Sequence, residues 1–292
     1  MKNILLICLL IFSSEIWSDA VQIPYKYDKS LIQLNATHYT KNNSKSIALI
    51  LHGTRGHQNL ELIKSLANSF LENNIDSLTI NLSYGIDNRE NNFFPCKVEH
   101  EHFKSKSIDE VELWFKYLKS KGYQKIFLIG HSRGGLNIIQ SFEELEASEK
   151  ILVESVFLIA PISDQYADLK KYHMVKNDIN VDELLNESND WLTIDFLNCP
   201  NGKVSKKSFL DYFKISDKQS GKNGSLLGNL SSTNIKVSVI VGSEDMITPN
   251  TYRRVEVLNK KNIELLVVDG AGHFFRDLYF DDLMEIITER TN

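Results

Sequence analysis

Ser132 lies in the middle of a Gly-x-Ser-x-Gly pattern that it forms with Gly130 and Gly134. An apolar run ends just before the pattern, and a stretch with apolar residues at helical spacing follows it. A strand, a sharp turn and a helix in this order would hold the serine hydroxyl out at the end of a sheet, and the two glycines would let strand and helix pass at short distance. The pattern therefore predicts a nucleophilic serine at this position.

A serine hydroxyl is a weak nucleophile by itself. This prediction therefore requires a histidine base, an acid that orients the histidine, and N–H donors for an oxyanion. Asp245 and His273 meet the first two requirements because each, like Ser132, follows a predicted buried strand at its carboxyl end. The carboxyl ends of parallel strands share one edge of a sheet, where ligands bind. Three residues far apart in sequence are expected to converge at that edge.

Each of these residues also has a purely structural interpretation. Ser132 could be a small residue in a tight turn, and Asp245 could cap the helix that follows it, with Glu244 as an adjacent acidic competitor. Asp269 lies too close to the end of the last strand to be preferred as the acid. Of the 8 histidines, only His273 follows the last strand inside a glycine-rich turn.

Apolar strands alternate with helices along most of the chain. Continuous apolar runs predict buried strands at 47–51, 77–82, 125–129, 153–159, 237–241 and 263–268. A hairpin over 21–27 and 31–40 is predicted to precede them. This alternation predicts a parallel sheet covered by helices on both faces. Ser107 and Glu110 fit a capping box, which predicts that a helix begins at Ser107.

Residues 163–233 interrupt the alternation of strands and helices. They are rich in Asn, Lys, Ser and Asp, and they also carry several aromatic residues. This mixture predicts short helices that lie over a pocket with their aromatic faces turned towards it.

A second irregular stretch, residues 83–106, is too long for a simple connection and is predicted to form a rim of the site. The Glu-His-Glu-His run at 99–102 could suggest a metal site, but its alternating spacing and the lack of a partner cluster favour a solvated loop. Cys96 in this stretch and Cys199 are the two cysteines that follow residue 20. A disulfide bond and two free buried thiols are both open interpretations of that pair.

The first residues have the composition of a secretory signal. Lys2 precedes an apolar run over 4–12, and small residues ending at Ala20 have the spacing that a signal peptidase reads. We therefore predict that residues 1–20 are a cleaved signal and that the remaining chain is exported, to a periplasm or out of the cell. The apolar run is well short of the roughly 20 residues that span a bilayer, so a retained anchor is disfavoured and no stable membrane span is expected after cleavage.

Charge and glycine content restrict the class of ligand. The formal net charge of −5 provides no basic surface of the kind that phosphate binding needs, so nucleic acid is not an expected partner. The sequence has no phosphate-cradling glycine loop, and we expect neither a cofactor nor a metal ion. A small-molecule or lipid-like acyl compound remains the expected substrate.

The candidate residues lie in segments that resemble the α/β-hydrolase superfamily, namely His52-Gly53-Thr54, Gly130-His131-Ser132-Arg133-Gly134, Gly242 to Asp245, and Gly272-His273. The order serine, acid, histidine along the chain is also the order that this superfamily uses. The resemblance covers nearly all of residues 21–292. It implies an α/β-hydrolase domain with an eight-stranded, mostly parallel sheet flanked by helices, and a lid inserted after the sixth strand over 163–233.

The resemblance also implies the role of each residue in a serine hydrolase site. Ser132 would attack a carbonyl carbon, His273 would take its proton and return it to the leaving group, and Asp245 would fix the His273 tautomer. The backbone N–H groups of Thr54 and Arg133 would stabilise the oxyanion. His52 is expected to support the oxyanion loop and His131 to pack beside the nucleophile.

The expected reaction is hydrolysis of a carboxylic ester through an acyl-enzyme. Acyl transfer or peptide hydrolysis would use the same residues, and a binding protein without turnover could share the fold. Residues 52–56 lack the run of glycines found in one lipase and esterase branch, so that branch is disfavoured. Arg55 and Arg133 flank the oxyanion site. Pointing inward they could recognise a carboxylate or phosphate, and pointing outward they would be ordinary surface charge.

Overall fold

The computed structural model of the protein describes residues 17–41, 44–163, 165–213 and 219–291. The first elements are β1 (Trp17–Tyr27), β2 (Ser30–Thr40), β3 (Ser46–Leu51), α1 (Glu61–Glu72), β4 (Asp76–Ile80), α2 (Lys104–Ser120), β5 (Lys125–His131), α3 (Arg133–Glu144), α4 (Ala147–Lys150) and β6 (Val153–Ile159). The later elements are α5 (Tyr166–Asn177), α6 (Val181–Glu187), β7 (Trp191–Phe196), β8 (Cys199–Ser205), α7 (Lys206–Phe213), α8 (Leu226–Ser232), β9 (Val237–Gly242), α9 (Thr251–Glu256), β10 (Ile263–Val268) and α10 (Leu278–Thr288).

Eight strands form one sheet in the order β1-β2-β4-β3-β5-β6-β9-β10. β2 runs antiparallel to its neighbours β1 and β4, and the other neighbouring pairs are parallel. The central strands β3, β5 and β6 are buried along nearly their whole length. Because both faces of these strands are covered, their sequences are continuously apolar. The predicted mostly parallel, eight-stranded sheet is confirmed.

An apolar core lies on each face of the sheet. Successive strand residues point to opposite faces, so Leu49 belongs to one core and Ile50 to the other. The first core receives Trp114 of α2 and side chains of α3, and the second receives Phe70 of α1 and Leu283 of α10. The helices hold the sheet rigidly from both sides. The carboxyl ends of the parallel strands remain as one edge on which a site can be built.

The hairpin of β1 and β2 begins earlier than predicted. Residues 17–20, which the predicted signal includes, pair with residues 37–40 of β2 and are exposed. Cleavage after Ala20 would leave Val21 to Tyr27 paired with β2. The rest of the predicted signal, residues 1–16, lies outside the described residues. Among the residues that the structure describes, no helix is long and apolar enough to cross a membrane.

The predicted capping box at Ser107 is wrong, because α2 begins at Lys104 and Ser107 lies inside the helix. The Glu110 side chain does not cap the start of this helix. Its carboxylate is buried and accepts hydrogen bonds from the backbone N–H and the hydroxyl of Ser83, just after β4. A buried carboxylate needs such donors, and a tertiary partner supplied them in place of a local one.

We expect Glu110 to make stability depend on pH. Burial raises the pKa of its carboxyl to about 7, although the Ser83 hydrogen bonds and the Arg89 charge oppose the shift. Because this pKa is higher in the folded than in the unfolded chain, the stabilisation is complete below about pH 4.5 and is lost as the pH rises through about 7. Relative to Glu110→Gln, the wild type should lose up to roughly 3 kcal/mol of unfolding free energy over this range.

Urea unfolding of both proteins at several pH values tests this expectation, since the difference between them isolates Glu110 from the other titrating groups. Glu154→Gln, which changes an exposed acid on β6, is the matched control and should unfold in parallel with the wild type at each pH. A difference between wild type and Glu110→Gln that stays constant from acid to neutral pH would contradict the prediction.

The described part of residues 163–233 forms an insertion between β6 and β9 with a small apolar core of its own. The prediction of short helices is correct for α5, α6, α7 and α8, but it missed the antiparallel hairpin of β7 and β8. Leu192, Ile194 and Phe196 alternate with more exposed residues along β7. This period-2 signal was present in the sequence but covers only a few residues.

Cys96 and Cys199 are disulfide-bonded, which decides between the two interpretations of this pair. The bond joins residues 83–106 to the start of β8 across a sequence separation of 103 residues. Closing a loop of that length stabilises a fold by about 4 kcal/mol in the chain-entropy description. The insertion is thus covalently attached to the stretch that precedes α2.

The solvated-loop prediction for residues 99–102 is wrong for both histidines, which are buried. His100 pairs with β8 through its backbone, and His102 Nδ1 lies 2.9 Å from Tyr212 Oη of α7. The aromatic side chains of the insertion cover this run, a contact between distant segments that local composition does not reveal. In the described part of the chain, no group of three or more His, Cys, Asp and Glu side chains is arranged to hold a metal ion.

Candidate active site

Ser132 forms the turn between β5 and α3 with a φ of 55° and a ψ of −121°. A side chain other than glycine rarely adopts this conformation, and such strain is characteristic of functional positions. The Ser132 N–H donates to the carbonyl of Ile159 at the end of β6, at 2.8 Å. This bond to the neighbouring strand fixes the turn at the carboxyl edge of the sheet.

Gly130 and Gly134 are needed because strand and helix approach closely. A Cβ atom on Gly130 would lie 2.4 Å from the Gly134 carbonyl oxygen, and one on Gly134 would lie 2.4 Å from the His52 carbonyl oxygen. Both distances are far below van der Waals contact, and the opposing atoms are backbone. The close approach predicted from the Gly-x-Ser-x-Gly pattern is present.

Gly134→Ala should therefore destabilise the fold by about 3 kcal/mol or more, since overpacking against backbone cannot be relieved by a rotamer change. Gly272→Ala is the matched control, because a Cβ there meets no atom within 4 Å and Gly272 does not require a positive φ. Thermal unfolding followed by circular dichroism should give a large decrease in Tm for Gly134→Ala and a small change for Gly272→Ala. Equal Tm values for the two variants would contradict the packing argument.

His273 follows β10 and contacts Asp245, which follows β9. His273 Nδ1 lies 2.8 Å from Asp245 Oδ2, and both side chains are at least nine-tenths buried. Glu244 is exposed, and Asp269 instead accepts a hydrogen bond from the Ser243 hydroxyl. Of these three acids, Asp245 alone contacts the ring of His273.

Both carboxylate oxygens of Asp245 are occupied. Oδ1 accepts from the backbone N–H groups of Ile247 and Thr248 at 2.8 and 2.9 Å, and Oδ2 accepts from the Thr248 hydroxyl at 2.7 Å as well as from His273. Burial by itself would raise the pKa of Asp245, but the hydrogen bonds from His273 and Thr248 outweigh it and hold the pKa well below its usual value. The group is an anion that orders its own loop and orients His273.

Ser132 and His273 line one cavity of about 570 Å³. Gly53, Thr54 and His131 also border it, so the polar groups of three strand ends meet there. The charged residues Arg55, Glu61, Arg276 and Asp277 also line the cavity. The apolar part of the lining comes mainly from Leu60, Ile63, Phe93, Phe274, Phe275 and Phe280. Sequence reasoning did not identify these apolar residues, because they belong to several separate loops and helices. A cavity with a few convergent polar groups and an apolar wall suits a small, mostly apolar ligand.

Thr54 lies in the loop after β3, next to the Ser132 turn. A Cβ atom on the preceding Gly53 would lie 3.1 Å from Ser132 Cβ, which shows how closely this loop approaches. Within the described ranges, the backbone N–H of Thr54 donates to no other protein group. Arg133 is the first residue of α3, where backbone N–H groups point away from the helix. The two amides thus flank the Ser132 turn from two different elements.

His52 and His131 support these loops as neutral side chains. His52 Nε2 accepts from the Leu82 N–H at 3.3 Å, so its Nδ1 carries the proton that is donated to the Gly53 carbonyl at 2.8 Å. His131 Nε2 donates to the His273 carbonyl at 2.9 Å. Burial lowers the pKa of His52 to about 3 and that of His131 to about 4. The hydrogen bond by which His52 was expected to support the loop after β3 is present.

Arg55 and Arg133 are not ordinary surface charges. Arg55 donates from Nε to the Leu197 carbonyl at 2.9 Å and from Nη1 to the Phe94 carbonyl at 2.7 Å. Arg133 is buried, and its guanidinium lies 5.5 Å from the centre of the Tyr212 ring. Both side chains therefore contact the insertion or the loop attached to it, and the outward interpretation is wrong for both.

The strand order, the single antiparallel strand β2 inside the sheet and the strained serine turn after β5 are those of the α/β-hydrolase class. Residues 25–219, more than half of the chain, match the family model described as steryl acetyl hydrolase. The chain belongs to this family, and it is a serine carboxylic ester hydrolase by class.

Individual relatives are more distant. A candidate esterase/lipase of Mycoplasma pneumoniae is 26% identical over 208 residues, which cover 64% of this chain and 75% of that protein. Est1E from Butyrivibrio proteoclasticus has a TM-score of 0.63 at 18% identity, covering 92% of this chain and 98% of its own. The mouse α/β-hydrolase domain-containing protein 10 also has a TM-score of 0.63, at 13% identity and with 92% and 97% coverage. At such identities the structural likeness shows the fold alone.

Proposed function

We propose that the protein hydrolyses carboxylic esters through a triad of Ser132, His273 and Asp245 and an acyl-enzyme intermediate. The observation that carries this proposal is the buried His273–Asp245 pair, which is hydrogen-bonded at 2.8 Å. His273 lines the same cavity as Ser132 in its strained turn. With its Nδ1 engaged by Asp245, the histidine leaves Nε2 as the atom that can accept a proton. A binding protein would gain nothing from this arrangement.

In the proposed first half-reaction, Ser132 Oγ bonds to the ester carbonyl carbon while its proton moves to His273 Nε2. The carbonyl electron pair moves to the oxygen, and the backbone N–H groups of Thr54 and Arg133 stabilise the resulting anion. Collapse of this intermediate breaks the bond to the alcohol, which leaves with the proton from Nε2. In the second half-reaction, water attacks the acyl-Ser132 ester in the same way and releases the acid, and the proton returns to Oγ.

We propose an ester of a short acyl group with a bulky apolar alcohol as the substrate. The family description supports an acetyl group and a sterol-like alcohol. The phenylalanine-rich wall of the cavity provides an apolar surface for such an alcohol. Hydrolysis of p-nitrophenyl acetate should exceed that of p-nitrophenyl decanoate, and a steryl acetate should be cleaved faster than the long-chain ester of the same sterol. Faster turnover of the long-chain ester in both pairs would contradict this substrate class.

We further propose that the insertion, residues 163–233, covers the site. Asn198, in the turn of the β7–β8 hairpin, lines the active-site cavity. Tyr172 and Val175 of α5 line an adjoining cavity of about 450 Å³, which shares Ile247 with the first. The disulfide attaches the hairpin side of the insertion, so the hairpin would form a fixed wall, and any opening would involve α5. A disulfide engineered between α5 and the loop that carries Ile247 should lower the turnover of bulky esters. Chemical reduction of that engineered disulfide should restore it.

We also propose that the protein is exported after removal of residues 1–20, to a periplasm or out of the cell. The Cys96–Cys199 bond supports this, because disulfides persist in oxidising compartments. N-terminal sequencing of protein recovered outside the cytoplasm should begin near Val21. Recovery of the full chain with Met1 in a membrane pellet would contradict cleavage.

Labelling with a serine-reactive fluorophosphonate tests the proposed nucleophile directly. Peptide mapping of the labelled protein should find the probe on Ser132, because only an activated serine reacts readily with it. Ser132→Ala should remove the label, and His273→Ala should reduce it strongly. An unlabelled wild-type protein with a native circular dichroism spectrum would contradict the proposed function.

A further inference from the structure

Arg55 directly follows Thr54 and connects the oxyanion loop to two other segments. Its backbone N–H donates to the Tyr84 hydroxyl at 3.1 Å, and its carbonyl accepts from the Phe94 N–H at 2.8 Å. Its guanidinium donates to the carbonyls of Phe94, at 2.7 Å, and Leu197, at 2.9 Å. The residue has a φ of 55°, which a side chain other than glycine adopts only when its surroundings enforce it.

The two carbonyls that Arg55 contacts lie next to the disulfide. Cys96 is two residues after Phe94, and Cys199 is two residues after Leu197. The guanidinium and the disulfide thus join the same two segments, one by hydrogen bonds and the other covalently. We call Arg55 with the Phe94 and Leu197 carbonyls the Arg55 bridge.

We propose that Arg55 is a positioning residue that holds the Thr54 N–H at the oxyanion site through the Arg55 bridge, with the Cys96–Cys199 bond fixing the segments on which the bridge rests. This inference rests on the proposed function, in which the Thr54 amide stabilises the oxyanion. An amide displaced by about 1 Å loses much of its effect on the transition state while the substrate still binds. The guanidinium acts here through its forked geometry on two carbonyl oxygens, and its charge alone is not sufficient.

Kinetics of Arg55→Met and Arg55→Lys on p-nitrophenyl acetate test the proposal. Arg55→Met should lower kcat by about 30- to 100-fold with a change in KM of less than about threefold, because only the transition state uses the amide. Arg55→Lys keeps the charge but cannot reach both carbonyls in one plane, so its kcat should recover only partly. Lys203→Met removes an exposed cation of β8, on the same hairpin, and should behave as wild type.

Binding of a trifluoromethyl ketone distinguishes positioning from a merely structural role, because the ketone forms a tetrahedral oxyanion on Ser132. Its affinity should fall in Arg55→Met by the same factor as kcat. In a Cys96→Ala/Cys199→Ala background, the factor by which Arg55→Met lowers kcat should be at least threefold smaller than in the wild type, since both changes release the same segments. If Arg55→Met is too unstable to assay, the same comparison is made with Arg55→Lys in the two backgrounds.

Several results would overturn the positioning role. An increase in KM with unchanged kcat would make Arg55 a substrate-binding residue, and full recovery in Arg55→Lys would show that charge suffices. A fall in kcat without a parallel fall in ketone affinity, or strictly additive effects with the cysteine variants, would also contradict the bridge. Fluorophosphonate labelling of wild-type Ser132 keeps this test separate from the proposed function. Where the wild type is labelled, failure of the Arg55 predictions affects the Arg55 bridge alone.

Discussion

Replacing Ser132 with alanine should lower kcat/KM for p-nitrophenyl acetate by about five to six orders of magnitude, because loss of one member of the proposed triad removes most of the contribution of the whole unit. Alanine removes only Oγ, and it retains the N–H that donates to the Ile159 carbonyl. The positive φ at this position is as unfavourable for serine as for alanine, so the turn should be preserved. The Tm of the variant should therefore stay within a few degrees of the wild type.

The matched control is Ser141→Ala, because Ser141 is a buried serine of α3, the helix that begins directly after Ser132. Its kcat/KM should remain within about threefold of the wild type, as expected for a residue outside the reacting groups. Active-site titration must accompany the assay, since traces of wild-type enzyme would dominate the residual rate. Turnover by Ser132→Ala within tenfold of the wild type would exclude Ser132 as the nucleophile.

Asp245→Asn should lower kcat by about four orders of magnitude through a change of histidine tautomer. Oδ1 accepts from the N–H groups of Ile247 and Thr248, and an amide NH₂ cannot take that place. The asparagine oxygen must therefore occupy it, which turns the NH₂ group towards His273 Nδ1. Nδ1 then has to accept, and the ring proton moves to Nε2, where it prevents His273 from taking the Ser132 proton.

Two adjacent acids provide controls for this variant. Glu244→Gln and Asp269→Asn each remove a negative charge near the same strand ends, but neither residue contacts the His273 ring. Both should retain kcat within about fivefold of the wild type, because exposed charges act weakly through water. A larger loss in Glu244→Gln than in Asp245→Asn would assign the orienting acid to Glu244.

Much of the fold is predictable because its signals are local. The central strands are continuous apolar runs, and β6 was predicted with its observed bounds, Val153–Ile159. The Gly-x-Ser-x-Gly pattern indicates a tight strand-to-helix turn within five residues, and the structure shows the backbone contacts that require both glycines. Asp245 and His273 could be proposed as partners of Ser132 because each follows the end of a buried parallel strand. The choice of Asp245 rather than Glu244 as the partner of His273, by contrast, depends on loop geometry.

The errors share a physical cause, which is that a side chain takes the partner that folding brings to it. Ser107 and Glu110 match a helix cap in sequence, yet the Glu110 carboxylate accepts hydrogen bonds from Ser83, 27 residues earlier in the chain. His100 and His102 lie among glutamates in sequence, yet Tyr212 and the other aromatic residues of the insertion cover them. Ser83 and Tyr212 both lie too far along the chain from these residues for a local sequence pattern to indicate the contact.

The sequence by itself determined the α/β sheet, the tight turn at Ser132 and the candidate residues Ser132, His273 and an acid after β9, since strand periodicity and glycine spacing are properties of contiguous residues. Tertiary structure alone decided the Cys96–Cys199 bond, the apolar wall of the cavity and the contacts of Arg55. The disulfide and the hydrogen bond from Arg55 to Leu197 join segments more than 100 residues apart along the chain, and the bond from Arg55 to Phe94 spans 39 residues. Their energies depend on distances that exist only after the two cores and the insertion have packed.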